Sequence, residues 1–460
     1  MSQDTGTCNA GELPPNKHHP VQTLRGFGIR DYLLMPLLHL GAFSALLWLY
    51  LDGIAPVFAF NGYLKAFHGT MNALNGNKLA VAASLAFLLP LTVPRSHRPS
   101  TLFLHIILAL TLAPSLVLYA AADLPNGFMF ISVAAFVIVC IISHFPPLKM
   151  VEIPGVDSKT MLLGVVLVLF AFVLSFAILG GFRFLNFDIR RVYEFRTAAS
   201  ENLPWIYGYL VSGVSKALIP FVIALACAHR AVWLALLATA SSVLLFGLTA
   251  NKEPLFIPVM VFCVYYFYRF GRIQAWFVFA IICAAIVSNF AIQAYRTSGS
   301  ELGVWTGAII GNRVLMMPSL INYAYFDQFS EGARYWWSES RLTFGLIASP
   351  FPRTSANLIG VNYFGHAETF ANTGWIGSGY AQAGNLGVVL YSIGMGIVFL
   401  LIDGIAKGFG SRTTVAMFSV LVLAMITSSD FVTMFLTHGM LFGLLLAKVT
   451  DGRHIRGSPS

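Results

Sequence analysis

The sequence predicts an all-α polytopic membrane protein with about 12 transmembrane helices and one large outer loop between spans 9 and 10. Three observations carry this reading. Of 460 residues, 57% are apolar and only 10% are charged, which puts the chain in the membrane class before any motif is considered. Apolar runs near the length needed to cross the hydrocarbon recur along almost the whole chain. One stretch, Arg296 to Ser378, breaks the pattern. It holds Arg296, Arg313, Arg334, Arg341, Arg353, Asp327, Glu331, Glu339, His366 and Glu368, a density of ionisable groups that a span could not tolerate.

Taken in order, the runs fall at about 32–52, 78–94, 101–122, 127–144, 160–181, 207–228, 231–250, 254–270, 273–293, 379–403, 413–429 and 431–448. They divide the chain into an N-terminal tail (1–31), spans 1–9 with an outer loop at 182–206 (32–295), the large loop (296–378), spans 10–12 (379–448) and a C-terminal tail (449–460). The polar first 30 residues lack an apolar core with a small-residue cleavage site and do not read as a removable signal peptide. Cys140, Cys227, Cys263 and Cys283 fall inside spans and Cys8 in the tail, so neither a disulfide framework nor a cysteine metal site is suggested. No internal repeat is visible.

Lys and Arg near span ends favour the cytoplasm. One set of connections carries Lys17, Arg25 and Arg30; Arg95 and Arg98; Lys149 and Lys159; Arg230; Arg269 and Arg272; Lys407 and Arg412; and Lys448, Arg453 and Arg456. These connections and both termini are therefore read as cytoplasmic. The opposite set has short turns without Lys or Arg at Asp123–Gly127 and Asp430, but its long loops hold Arg183, Arg190, Arg191, Arg196 and the five arginines of the large loop. Arginine presents planar, bidentate donors that match phosphate oxygens, so such clusters at an outer surface suit an anionic, lipid-linked substrate. The plainer alternative is that they pair with Asp188, Glu194, Glu201 and the other loop acids to fold the loops.

Individual constellations carry the same two-sided reading. Arg190, Arg191 and Arg196 precede the sixth span at headgroup height, where arginines bind diphosphate or simply snorkel. Lys216 stands about halfway through that span, ahead of Pro220, as a substrate contact or as the partner of a bundle carboxylate. Asn251-Lys252-Glu253-Pro254 packs an amide, a cation and an acid into one outer turn, although Asn and Pro are ordinary turn formers. The aromatics Trp305, Tyr323, Tyr325, Phe326, Tyr335, Trp336, Trp337 and Phe344 suggest short amphipathic segments on the membrane, and aromatic rings also stack on sugars. From Gly365 to Gly387 a His and a carboxylate lead into a glycine-rich start of span 10, where glycines permit close backbone approach or tight helix packing. His366 or Glu368 is a candidate general base, or a solvated loop residue. Asp430, after Ser428 and Ser429, reads as a helix cap.

No Walker A loop, no zinc-type His pair and no cysteine cluster occurs, which disfavours nucleotide-driven transport and metallohydrolysis. The remaining features resemble the Wzy-type polymerases of O-antigen and other lipid-linked oligosaccharide repeat units, over about Arg190 to Gly443. The resemblance rests on Arg190-Arg191, the Asn251–Pro254 turn, the aromatic and basic stretch Tyr266 to Gly271, Arg313 with Pro318 and Asp327, and Asn372, Tyr380, Gly384 and Gly387. The family's Arg-x10-Gly pattern is met by Arg296 with Gly307 and Arg334 with Gly345, both in the large loop, whereas Arg196 misses its glycine by one position at Gly208.

The resemblance implies a GT-C-like membrane glycosyltransferase that joins undecaprenyl-diphosphate-linked repeat units at the periplasmic face of a bacterial inner membrane, needing neither metal nor nucleotide. It implies no cofactor. Its partners would be the lipid-linked substrates, membrane lipids, a Wzz-type chain-length regulator and a Wzx-type flippase, with no nucleic acid. Arg191, Arg313, His366 and Glu368 would be catalytic; Arg190, Arg196, Lys252, Arg296, Asp327, Arg334, Asn372 and Tyr380 would bind substrate. The rivals are the O-antigen ligase, which shares the donor but uses lipid A-core as acceptor, and a flippase or transporter, for which only Lys216 speaks. A membrane acyltransferase is disfavoured because His39, His105, His144 and His438 are scattered with no acidic companion.

Overall fold

Backbone that crosses hydrocarbon must satisfy its own N–H and C=O groups, so apolar runs of this length become helices. In a computed structural model, residues 29–59, 73–149, 155–179, 181–188, 204, 206–249, 251–340, 343–366 and 369–452 are described. Their helices are α1 (Ile29–Trp48, running on as a π-helix over Leu49–Ala59), α2 (Gly76–Thr92), α3 (Pro99–Ala121), α4 (Asn126–Ser143), α5 (Ser158–Ile178), α6 (Ile206–Ala228) and α7 (Val232–Thr249). They continue as α8 (Glu253–Phe267), α9 (Ile273–Ser298), α10 (Glu301–Gln328), α11 (Ser355–Phe364), α12 (Trp375–Phe409), α13 (Ser411–Thr427) and α14 (Phe431–Val449). A two-residue parallel pairing, Val156 with Thr450 and Asp157 with Asp451, ties the start of α5 to the end of α14.

Ten helices among the described residues are long and apolar enough to cross a membrane, so the protein is a multi-pass membrane protein. The helices differ in detail from the expected spans in two ways. α2, α8 and α13 are apolar but only 17, 15 and 17 residues long. Conversely α10, which the sequence placed in the large loop, is a 28-residue helix of spanning length. Polar Asn312, Arg313 and Asn322 and helix-breaking Pro318 interrupt its hydropathy. Its glycines make up for this: a Cβ at Gly303 would strike the backbone of Ala291 and Tyr295, one at Gly307 would strike Ile292, and one at Gly311 would sit 3.0 Å from the Ser288 Cβ. A glycine every fourth residue thus lets α10 lie flush on α9.

Four π-helical stretches share one cause. Leu49–Ala59, Leu108–Leu112, Val214–Leu218 and Gly307–Met316 each contain the residue four before a proline, namely Asp52 before Pro56, Leu110 before Pro114, Lys216 before Pro220 and Val314 before Pro318. A proline lacks the N–H for that carbonyl and its ring crowds it, and a widened turn relieves both. The freed Asp52 carbonyl is used: it accepts from Gln293 Nε2 at 3.0 Å and from Arg296 Nη1 at 3.0 Å, while the Asp52 carboxylate takes Gln293 Nε2 at 2.8 Å and Asn289 Nδ2 at 3.2 Å.

The hydropathy of α12 is unbroken, but its backbone is not. Ala383 and Gly384 leave helical geometry (φ −146° and +61°), and the leg at 375–382 folds back antiparallel on the leg at 385–409. Trp375 Nε1 donates to Ser392 Oγ at 3.1 Å, and Gly379 meets Gly387 so closely that a Cβ on either would strike the other's backbone. The glycine-rich run read from the sequence as a place of close approach is the crossing point of this hairpin. Gly384 alone can make its turn without strain, because its φ is left-handed.

The two ends of the bundle differ. One gathers the connections at 94–98, 144–149, 229–231, 268–272 and 409–411, cross-linked by Arg98 Nη1 to Phe145 O and Arg412 Nε to Tyr265 O. The other gathers the turn at Asp123, which pairs with Lys78 at 2.7 Å, the turn at 251–252, the hairpin turn, the segment at 329–374 and the turn at 428–430.

The Gly379–Gly387 contact predicts that Gly387→Leu destabilises the purified protein by about 3 kcal/mol through overpacking. Gly408→Ala, where nothing lies within 4 Å, is expected to leave stability unchanged or slightly higher. Thermal unfolding in detergent, followed by size-exclusion fluorescence, measures both.

Candidate functional site

A helix ends with carbonyls that have no intrahelical partner. The leg at 375–382 ends inside the protein, and the segment after α10 supplies the missing donors: Tyr335 N donates to Ala381 O at 3.1 Å and Trp336 N to Gln382 O at 2.8 Å. To do so, Trp336 and Trp337 adopt left-handed backbone (φ +51° and +61°), at about 1–2 kcal/mol per residue. Side chains lock this arrangement. Gln382 Oε1 accepts from Trp337 N at 2.8 Å, and Gln382 Nε2 donates to Glu339 Oε1 at 2.7 Å. Ser355 Oγ and Ser355 N, the latter in the first turn of α11, donate to Glu339 at 2.8 Å each. Trp337 Nε1 donates to Tyr391 OH at 2.9 Å, and Tyr391 OH donates to Asp430 Oδ1 at 3.0 Å. The other Asp430 oxygen caps α14 through Thr433 N, as the sequence suggested.

At the base of the first leg, Asn322 Oδ1 accepts from Gly377 N at 3.0 Å and Thr373 Oγ1 at 2.6 Å, which satisfies an N-terminal N–H and fixes α10 to the hairpin. Burial pushes the Glu339 carboxyl above the ordinary glutamate range, while the Ser355 and Gln382 donors pull it back. Glu339 therefore acts as a positioning group with its lone pairs engaged.

Arg334 lies over the hairpin turn. Its guanidinium carbon is 5.0 Å from the centre of the Tyr380 ring, its Nε would be 3.3 Å from a Cβ at Gly384, and Nη2 donates to Ser330 O at 3.4 Å. Nη1 is buried with no hydrogen-bond partner, and so is Ser338 Oγ four residues on. A donor buried without a partner is uncommon in a native structure and calls for an explanation. A guanidinium over an aromatic ring with an unspent donor has the chemistry to take an oxyanion.

Of the residues singled out in the sequence, the structure brings Arg334 and Tyr380 together and puts Asp327 on the adjoining end of α10, where its carboxylate accepts from Tyr363 OH at 2.7 Å. Phe326 packs against Tyr380 with ring centres 5.0 Å apart and the rings tilted at 36°. Asn372 and His366 are exposed in the connection between α11 and α12. Arg313 is exposed on the side of α10 away from its glycines, Lys252 is exposed before α8, and Arg296 is held at Asp52. Arg190, Arg191, Arg196 and Glu368 lie outside the described residues. Lys216 Nζ is 3.3 Å from Glu253 Oε2, which is the bundle-carboxylate reading.

Two features were missed. His39 and His105, read as scattered, stack with ring centres 5.3 Å apart and nitrogens at 3.1 Å, because α1 and α3 are neighbours. The Glu339–Gln382–Trp337–Tyr391–Asp430 chain had no sequence signal beyond the glycine run around Gln382. Among the described residues, no three His, Cys, Asp or Glu side chains converge as a metal's ligand set would. Comparison with protein-family models, with curated proteins and with solved structures returned no match.

The raised Glu339 carboxyl gives a signed pH effect. In the folded protein Glu339 binds its proton more tightly than in the unfolded chain, so its contribution is present below the ordinary glutamate range and lost as pH rises through the raised value. Thermal unfolding midpoints should fall over that interval, and Glu339→Gln should flatten this part of the profile. An identical slope in wild type and variant would contradict it.

Proposed function

We propose that the protein is a glycosyltransferase that joins lipid-linked oligosaccharide repeat units, the Wzy-type reaction, at the end of the bundle bearing the hairpin turn. In this reading the positive-inside pattern supports that end facing the periplasm from the inner membrane. The observation that carries the reading is Arg334, a guanidinium set on Tyr380 at the hairpin turn with a buried, unspent donor.

In the reaction, a hydroxyl of the acceptor unit attacks the anomeric carbon of the donor chain. The new glycosidic C–O bond forms as the bond to the diphosphate breaks, and undecaprenyl diphosphate leaves with the electron pair. Arg334 stabilises the charge that grows on the departing diphosphate; comparable donors are worth about 3–4 kcal/mol elsewhere. Arg190, Arg191, Arg196 and Arg313 are further phosphate contacts in this reading. The hydroxyl proton passes to His366 or Glu368, just after α11. Tyr380, Asp327 and Asn372 surround the same end of the protein and bind the saccharide. The Glu339 network keeps the segment that carries Arg334 seated on the hairpin, which supplies the orientation such a two-substrate reaction needs.

Liposomes containing the purified protein and undecaprenyl-diphosphate-linked oligosaccharide, extracted from a strain lacking the protein, test this. Wild type is expected to form a ladder of longer products and release undecaprenyl diphosphate. Arg334→Ala should slow this at least a hundredfold with normal folding, Arg334→Lys less so, and Arg269→Ala at the opposite end should have no effect. A wild-type protein that builds no ladder contradicts the proposal.

A further inference from the structure

Trp336 is held in a conformation that a simple membrane anchor does not require. It sits between Arg334 and Ser338, whose Nη1 and Oγ are, among the described residues of this segment, the two buried side-chain polar atoms without a partner. Its backbone is left-handed, as is that of Trp337, so two consecutive bulky residues occupy geometry that glycine or asparagine takes more readily. Its N–H is bound to Gln382 O, and the next N–H to Gln382 Oε1, so the segment cannot relax without breaking the cap on the hairpin leg. The indole of Trp337 is turned inward to Tyr391, whereas Trp336 is 49% exposed. The network through Glu339, Gln382, Tyr391 and Asp430 thus fixes the backbone of a half-exposed tryptophan two residues from Arg334.

We propose that Trp336 is a saccharide-stacking platform: its ring takes the C–H face of the sugar joined to the diphosphate, with the Arg334 guanidinium, two residues before it, serving the phosphate. This rests on the reading of the protein as acting on lipid-linked oligosaccharides and deepens it, since it assigns the first sugar and its phosphate to one short segment. An indole offers a flat apolar face of the right size for a pyranose, and aromatic rings at a wet boundary serve both sugars and lipid headgroups. The positioning by the hairpin favours the sugar.

The test compares two probes on full-length protein in nanodiscs: bare undecaprenyl diphosphate and the undecaprenyl-diphosphate-linked oligosaccharide extracted from a strain lacking the protein. Native mass spectrometry reads the affinity of each. Wild type is expected to bind the saccharide-bearing lipid at least tenfold more tightly than the bare one. Trp336→Leu, which keeps an apolar group at the boundary, and Trp336→Gly, which adopts the backbone freely, should both abolish that preference and leave bare-lipid binding unchanged. Trp233→Leu, at an indole 83% exposed on α7, should retain it. Equal binding of both probes by wild type, or an undiminished preference in the Trp336 variants, overturns the platform alone. Wild type that binds neither probe overturns the proposed function, and the platform with it.

Discussion

The contact on which this end of the protein depends is glycine against glycine. Gly379 and Gly387 bring the two legs of α12 to backbone contact, and only because they do can Trp375 reach Ser392 and Gly384 complete the reversal. A helix end inside a bundle is costly unless its terminal groups are paired. The hairpin meets this condition at both ends of its first leg, with Asn322 at the start and the N–H groups of Tyr335 and Trp336 at the finish. The segment that carries Arg334 is thus a structural cap first. Its strained backbone follows from that duty, and the orientation of its side chains follows from the backbone.

Proline acts on the rest of the bundle in a comparable way. Each of the four π-helical stretches loosens one carbonyl, and at Asp52 the liberated oxygen together with the carboxylate collects Asn289, Gln293 and Arg296. Arg296 is consequently a structural tie between α1 and α9. Lys216, in the widened turn before Pro220, pairs with Glu253 at the start of α8. Two of the widened turns thus each carry one member of an ion pair, Asp52 with Arg296 and Lys216 with Glu253.

How much of this was legible follows from range. Hydropathy and length identify most helices because a spanning segment settles its backbone locally. The cap at Asp430 and the close packing in the glycine run were readable for the same reason, since both depend on neighbours in sequence. α10 was hidden because its apolar face is built from glycines, which score poorly for hydropathy and pack well. The reversal at Ala383–Gly384 was hidden because the run on either side is apolar throughout. Glu339 looked like one more loop acid: its partners Ser355 and Gln382 are 16 and 43 positions away and nothing local marks them. Arg334 and Tyr380 were both singled out, but only the hairpin turn puts one over the other.

The claim that this protein extends lipid-linked saccharides is tested most directly by the glycans of a strain that lacks it, resolved by gel and mass spectrometry. Single repeat units on the normal surface acceptor, with no longer chains, are the result expected here. Full-length polymer stranded on undecaprenyl diphosphate would instead make the protein a ligase, and an unchanged glycan profile would contradict the account.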